Sequence, residues 1–106
     1  MITLDDINRL AQCATNDPYP HDGIKQFLQE CSVTDTYYSF LYHLVRFMQP
    51  DLALDVGLEL GRSGFAMAIA STTCQVIGIE LNSGPPSTWS QYLGQCPNMR
   101  IVSGTD

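Results

Sequence analysis

The chain has 106 residues, enough for one small domain with a modest core and too few for two. Its hydrophobic share of 44% fits a folded protein, and five Lys and Arg against eleven Asp and Glu leave a formal net charge of −6. A surface of that sign repels phosphate backbones, which argues against nucleic acid as a partner.

Cys13, Cys31, Cys74 and Cys96 contain no CxxC pair and have no His at ligand spacing, so no metal site is expected. Reduced thiols in a cytoplasmic protein are the simpler reading than a disulfide frame. Met1 to Leu10 is amphipathic and acidic, unlike a signal peptide, and no stretch has the length of a membrane span.

Thr3 can cap a first helix, with Asp5 and Asp6 in its opening turn and Ile2, Ile7, Leu10 and Ala11 or Ala14 on one side. The helix should end near Ala14. Asn16 to Gly23 is turn chemistry, with Pro18, Pro20 and a solvated His21, and leads to a short helix from about Ile24 to Glu30. Thr34 or Asp35 then caps a helix running to about Met48, on which Tyr37, Leu41, Leu44, Val45 and Met48 recur at helical spacing. Its broad stripe should lie flat on a sheet, and Tyr37 or Tyr38 could instead line a ligand pocket. His43 reads as a polar-face residue or a satisfied partner. Gln49-Pro50-Asp51 stops the helix.

Leu52 to Val56 is a short apolar run carrying Asp55. Gly57 and Gly61 bracket a tight turn, Arg62 to Ala70 has small and apolar residues at helical spacing, and Gln75 to Leu81 is a second apolar run. The order is strand, loop, helix, strand, the parallel crossover unit whose first turn holds the ligand in open α/β sheets. Gly84-Pro85-Pro86 breaks the chain, Ser87 or Thr88 could cap a short helix over Trp89, Tyr92 and Leu93, and Met99 to Ser103 reads as a third strand. The expected architecture is a single α/β domain: a helical segment over residues 1–50 packs on a Rossmann-like parallel sheet over 51–106, with about three strands in the order 3-2-1.

Carboxylates crowd the expected ligand edge. Asp55 lies at the end of strand one, Glu59 inside the turn, and Glu80 at the end of strand two. A dinucleotide site keeps bare glycine where Glu59 stands, so that backbone can cradle a pyrophosphate. A carboxylate there would repel the diphosphate by roughly several kcal/mol at intermediate dielectric. A nucleoside with positive character is favoured over NAD or FAD, and S-adenosylmethionine has a sulfonium, an ammonium, one carboxylate and an adenosine.

The run L-D-V-G-L-E-L-G-R-S followed by V-I-G-I-E-L-N resembles the cofactor-binding half of class I S-adenosylmethionine-dependent methyltransferases. It is most similar to the catechol O-methyltransferase-like small-molecule O-methyltransferases, whose loop reads acid-x-Gly-x-x-x-Gly-x-Ser. The resemblance covers about Leu52 to Asp106. It implies that Gly57 and Gly61 let backbone approach the methionine part, that Asp55 orients the loop and the ammonium, and that Ser63 binds the ligand carboxylate. It further implies that Glu80 accepts the ribose hydroxyls and that Asp106 or Thr105 contacts the adenine edge. Glu59 departs from the aromatic or small residue often found at its position. A tight turn alone would also use Gly57 and Gly61, a helix cap Ser63, and a solvated strand end Glu80.

Members of that family have seven strands in the order 3-2-1-4-5-7-6, and the residues that act on substrate or hold Mg²⁺ lie in the second half. No catalytic residue is therefore identifiable here. The expected function is methyl transfer to a small molecule, most simply at oxygen, by an enzyme or by the N-terminal, cofactor-binding part of one. The alternative is a non-catalytic S-adenosylmethionine-binding or assembly module. In either case strand one is expected to be a sheet edge that recruits a second copy or another chain.

Overall fold

The computed structural model describes residues 1–31, 36–56, 62–80 and 96–103, with the side chains of 27–31, 62, 80 and 103 outside the description. Three helices precede a β1-α4-β2 unit and a last strand: α1 (Leu4–Asn16), α2 (Asp22–Cys31), α3 (Tyr37–Met48), β1 (Leu52–Val56), α4 (Arg62–Ala70), β2 (Gln75–Glu80) and β3 (Met99–Ser103). The expected helix over Trp89 lies outside the described residues.

The three strands form one parallel sheet in the order β1-β2-β3. The expected order is therefore found. Leu52 pairs with Gln75 and Val56 with Ile79 across β1 and β2, while Val76 pairs with Met99 and Glu80 with Ser103 across β2 and β3.

α1 begins as its sequence dictates. The Thr3 hydroxyl accepts from the Asp6 N–H at 3.1 Å, and the Asp6 carboxylate accepts from the Thr3 N–H at 2.9 Å, a reciprocal capping box. These bonds, the Thr3 N–H foremost, hold the Asp6 carboxyl below its ordinary pKa. α2 starts two residues earlier than expected, with Gly23 inside it. A Cβ at Gly23 would meet the Phe65 ring at 3.0 Å, so this glycine serves a close helix contact and not the turn before it.

α3 corrects two further expectations. Its N-cap is Thr36 rather than Thr34 or Asp35, and the Thr36 side chain makes no cap bond. Its buried line is Ser39, Tyr42 and Val45, while Tyr37 and Met48 are about half exposed. The helix packs against α4 and α1 instead of lying flat on the sheet. Ser39 makes this close approach possible: it is small, and its hydroxyl donates to the Asp17 carbonyl at 2.6 Å. At its other end Gln49, with φ of 47°, takes the left-handed cap conformation and Pro50 follows.

α4 is the helix that lies on the sheet. Phe65, Ala66, Ala68 and Ala70 are all buried, because one side meets the strands and the other meets α3. Together with Ile24, Tyr42, Val45, Val76 and Met99 they make the core, against which Ala53 and Ile101 pack. Among the described residues no helix covers the opposite face of the sheet.

Candidate functional site

The carboxyl end of β1 and the first turn of α4 meet at a hydrogen bond. The Ser63 hydroxyl donates to Asp55 Oδ2 at 2.5 Å, in a partly buried setting. Strand alternation explains why these two residues find each other. Ala53 and Asp55 share the face on which α4 lies, and the start of α4 stands at that strand end. The bond is short because an ionised acceptor strengthens an O–H donor.

The resemblance set Asp55 and Ser63 each toward the ligand without pairing them; the structure joins their side chains directly. The hydroxyl assigned by resemblance to the ligand carboxylate already gives its proton to Asp55. What Ser63 offers outward is its hydroxyl lone pairs and, at the opening of α4, a backbone N–H. Among the described residues, Asp55 Oδ1 makes no hydrogen bond.

Glu80 closes β2, one strand over and at the same end of the sheet, paired in register with Ser103. Its backbone position is the one expected of it, while its side chain lies outside the description. Gly57, Glu59, Gly61, Thr105 and Asp106 lie outside the described residues. Among the described residues, no group of three or more His, Cys, Asp and Glu could hold a metal ion.

Away from this edge, Tyr37 and Tyr38 meet edge to face with centroids 5.4 Å apart, and Tyr37 lines a cleft of about 480 Å³ between α1 and α3. Its other walls are Ala11, Ala14, Thr15, Thr36 and Phe40. None of the six belongs to the Asp55 and Ser63 pair, so this cleft is separate from that pair.

Two residues have roles that pattern reading missed. Asn98, read as part of a turn, is buried, and its amide nitrogen donates to the carbonyls of Ala68, Ser71 and Cys74 at 2.8 to 3.0 Å. It thereby ties the end of α4 to the start of β2. His43 was expected on a polar face or with a partner; instead its Nε2 is buried with no hydrogen-bond partner among the described residues, and its ring meets Tyr42 at right angles. The Pro97-Asn98 pair signals a turn, but nothing in a single sequence signals which amide reaches three carbonyls.

The thiols of Cys13, Cys74 and Cys96 are unpaired, the last two buried. Burial pushes Cys96 up to about 11 and raises Cys74, with Asp51 adding to the latter. Both are packing groups and not nucleophiles. No helix among the described residues is long and apolar enough to cross a membrane.

No protein-family model and no curated protein sequence matches the chain. Among solved structures it is similar to a Staphylococcus aureus protein provisionally described as a caffeoyl-CoA O-methyltransferase, with a TM-score of 0.62 and 19% identity over 94% of this chain and 51% of that one. The chain spans about half the length of that protein. At this identity the likeness shows the fold, an α/β Rossmann-like sheet of the kind found in methyltransferases.

Proposed function

We propose that this chain is an S-adenosylmethionine-dependent methyltransferase, or the cofactor-binding part of one, acting on a small molecule and most simply at oxygen. The observation that carries the reading is the Asp55 and Ser63 hydrogen bond at the mouth of β1 and α4, the place where open α/β sheets hold their ligands. Glu80 ends the neighbouring strand at the same edge. The fold likeness to a protein described as an O-methyltransferase supports it.

The donor set fits the cofactor's amino-acid part. A carboxylate with one oxygen engaged by Ser63 presents the other to an ammonium, and the opening of α4 presents backbone N–H groups to a carboxylate. Ser63 fixes the orientation of Asp55, so the acceptor lone pairs are aimed before the ligand arrives. Gly57 and Gly61 would give the backbone close approach, Glu80 would accept the two ribose hydroxyls, and Asp106 would meet the adenine edge. Glu59 would add negative potential near the sulfonium. When bound, the cofactor supplies an electrophilic methyl group; the chain's residues bind it, orient it and favour its positive charge.

The second reading is a binding or assembly module that holds the same ligand without chemistry. It is favoured by one observation: among the described residues no general base stands beside the Asp55 and Ser63 pair. Calorimetric titration tests both. S-adenosylhomocysteine should bind saturably and NAD should not, and both Glu80→Ala and Asp55→Asn should weaken binding at least about tenfold. Asp55→Asn keeps an acceptor for Ser63, so its thermal unfolding should match the parent. Binding of NAD in preference, or none of S-adenosylhomocysteine, would sink both readings; methyl transfer to a panel of small phenols and alcohols would then divide them.

A further inference from the structure

We propose that the Asp55 and Ser63 pair reads the ligand's ammonium and not its carboxylate, so that this edge binds adenosyl thioethers and sulfoniums that carry a primary amine whether or not a carboxylate stands beside it. This specificity rests on the cofactor reading above and names the part of the ligand's amino-acid group that the site recognises. Ser63 has one hydroxyl proton, and it is given to Asp55 Oδ2 at 2.5 Å. The Ser63 oxygen therefore turns only lone pairs outward, and these suit an N–H donor rather than an anion. Asp55 as a carboxylate accepts and cannot donate, and its Oδ1 makes no hydrogen bond among the described residues. An ammonium has three donors, enough for Asp55 Oδ1 and the Ser63 oxygen together. Ser63 is thus a positioning residue that acts on the amine through Asp55, whereas the resemblance gives its hydroxyl to the ligand carboxylate.

A carboxylate finds no comparable partner among the described side chains. In an α-amino acid it shares its carbon with the ammonium, so an ammonium held by Asp55 brings a second anion close to the first, and the two repel. The backbone N–H groups that open α4 attract a carboxylate, but Asp55 stands at the same helix start and offsets that attraction. The described cations are elsewhere. Arg9 pairs with Asp6, Lys25 lies on α2, and Arg46 donates to the Ala70 carbonyl at the other end of α4. Arg100 stands across from Ile77, in the row of Leu54 and so on the sheet face away from Asp55. The formal net charge of −6 adds a field that favours cations over anions. Arg62 precedes Ser63 with its side chain outside the description, so it is the cation that the test must separate.

Calorimetric titration of the whole chain with three ligands tests the assignment: S-adenosylhomocysteine, the aminopropyl thioether of deoxyadenosine, which lacks only the carboxylate, and the carboxypropyl thioether, which lacks only the amine. The aminopropyl compound should bind within about threefold of S-adenosylhomocysteine, and the carboxypropyl compound at least about tenfold more weakly. These ratios are read on the parent chain and need no variant to fold. Ser63→Ala should weaken the two amine ligands by about fivefold or more and the carboxypropyl compound by less than about twofold, while Ser63→Thr, which keeps the hydroxyl, should restore amine binding. Added to Asp55→Asn, Ser63→Ala should cost less than about a further twofold, because the two residues act as one unit. Arg62→Gln should leave the ratio of S-adenosylhomocysteine to the aminopropyl compound unchanged. An aminopropyl compound more than about threefold weaker than S-adenosylhomocysteine overturns the proposal and leaves the cofactor reading standing. So does a Ser63→Ala loss shared equally by the carboxypropyl compound, or an Arg62→Gln loss confined to ligands with a carboxylate. Binding of none of the three ligands sinks both.

Discussion

His43 carries the clearest local cost among the described residues. A buried imidazole nitrogen without a partner forfeits its hydrogen bond to water and costs about 1–3 kcal/mol, whether it holds a proton or a lone pair. His43→Phe removes the orphan and keeps the edge-to-face contact with Tyr42, whose centroid lies 5.6 Å away. Urea unfolding of this variant should show a gain of about 1 kcal/mol, and a loss would mean that Nε2 is paired in solution. Asp55 shows the reverse situation: a polar side chain whose partner, the Ser63 hydroxyl, is in place. The difference lies in distance along the chain. Ser63 is eight residues from Asp55, within one crossover unit, whereas the surroundings of His43 are set by how helices stack.

At the scale of elements, the crossover and its flanking strand were legible because local rules agree there. Short apolar runs bounded by Gly and polar turns fix β1, β2 and β3, and the bounds of β1, α4 and β3 match those expected. α3 was legible as a helix but not as to which side turns inward, because its aromatic residues circle most of the axis and only docking on α4 selects Ser39, Tyr42 and Val45. Asn98 belongs to this scale, since it joins the end of α4 to the start of β2 through three carbonyls. Asn98→Ala should cost about 1–3 kcal/mol in urea unfolding by stranding those acceptors. Asn98→Asp should cost more, because a carboxylate would then face carbonyl oxygens. A loss below about 0.5 kcal/mol in the Ala variant would show that water replaces the amide.

For the whole molecule, the two buried thiols couple folding to pH. Cys96 and Cys74 both titrate above the ordinary thiol value of 9.0 when folded, so the unfolded chain releases these protons first. Their contribution is intact below pH 9 and is lost as pH rises toward about 11, the folded value of Cys96. The midpoint of thermal unfolding should therefore fall between pH 8.5 and pH 10.5 (about two units), and Cys96→Ala should flatten that fall. An equal slope in the variant would assign the alkaline loss to other groups.

The sequence by itself determined the elements whose cause is local: the Thr3 cap of α1, the stop at Gln49-Pro50, and the strand and helix order from Leu52 to Glu80. Only the tertiary structure decided which helix lies on the sheet, that Gly23 clears room for Phe65, that Asn98 secures three carbonyls, and that Ser63 reaches Asp55. Hydrophobic period and turn chemistry act over a few residues, so they name elements. The choice of facing partners is a competition among surfaces far apart in the chain, and close packing settles it only when all of them are in place.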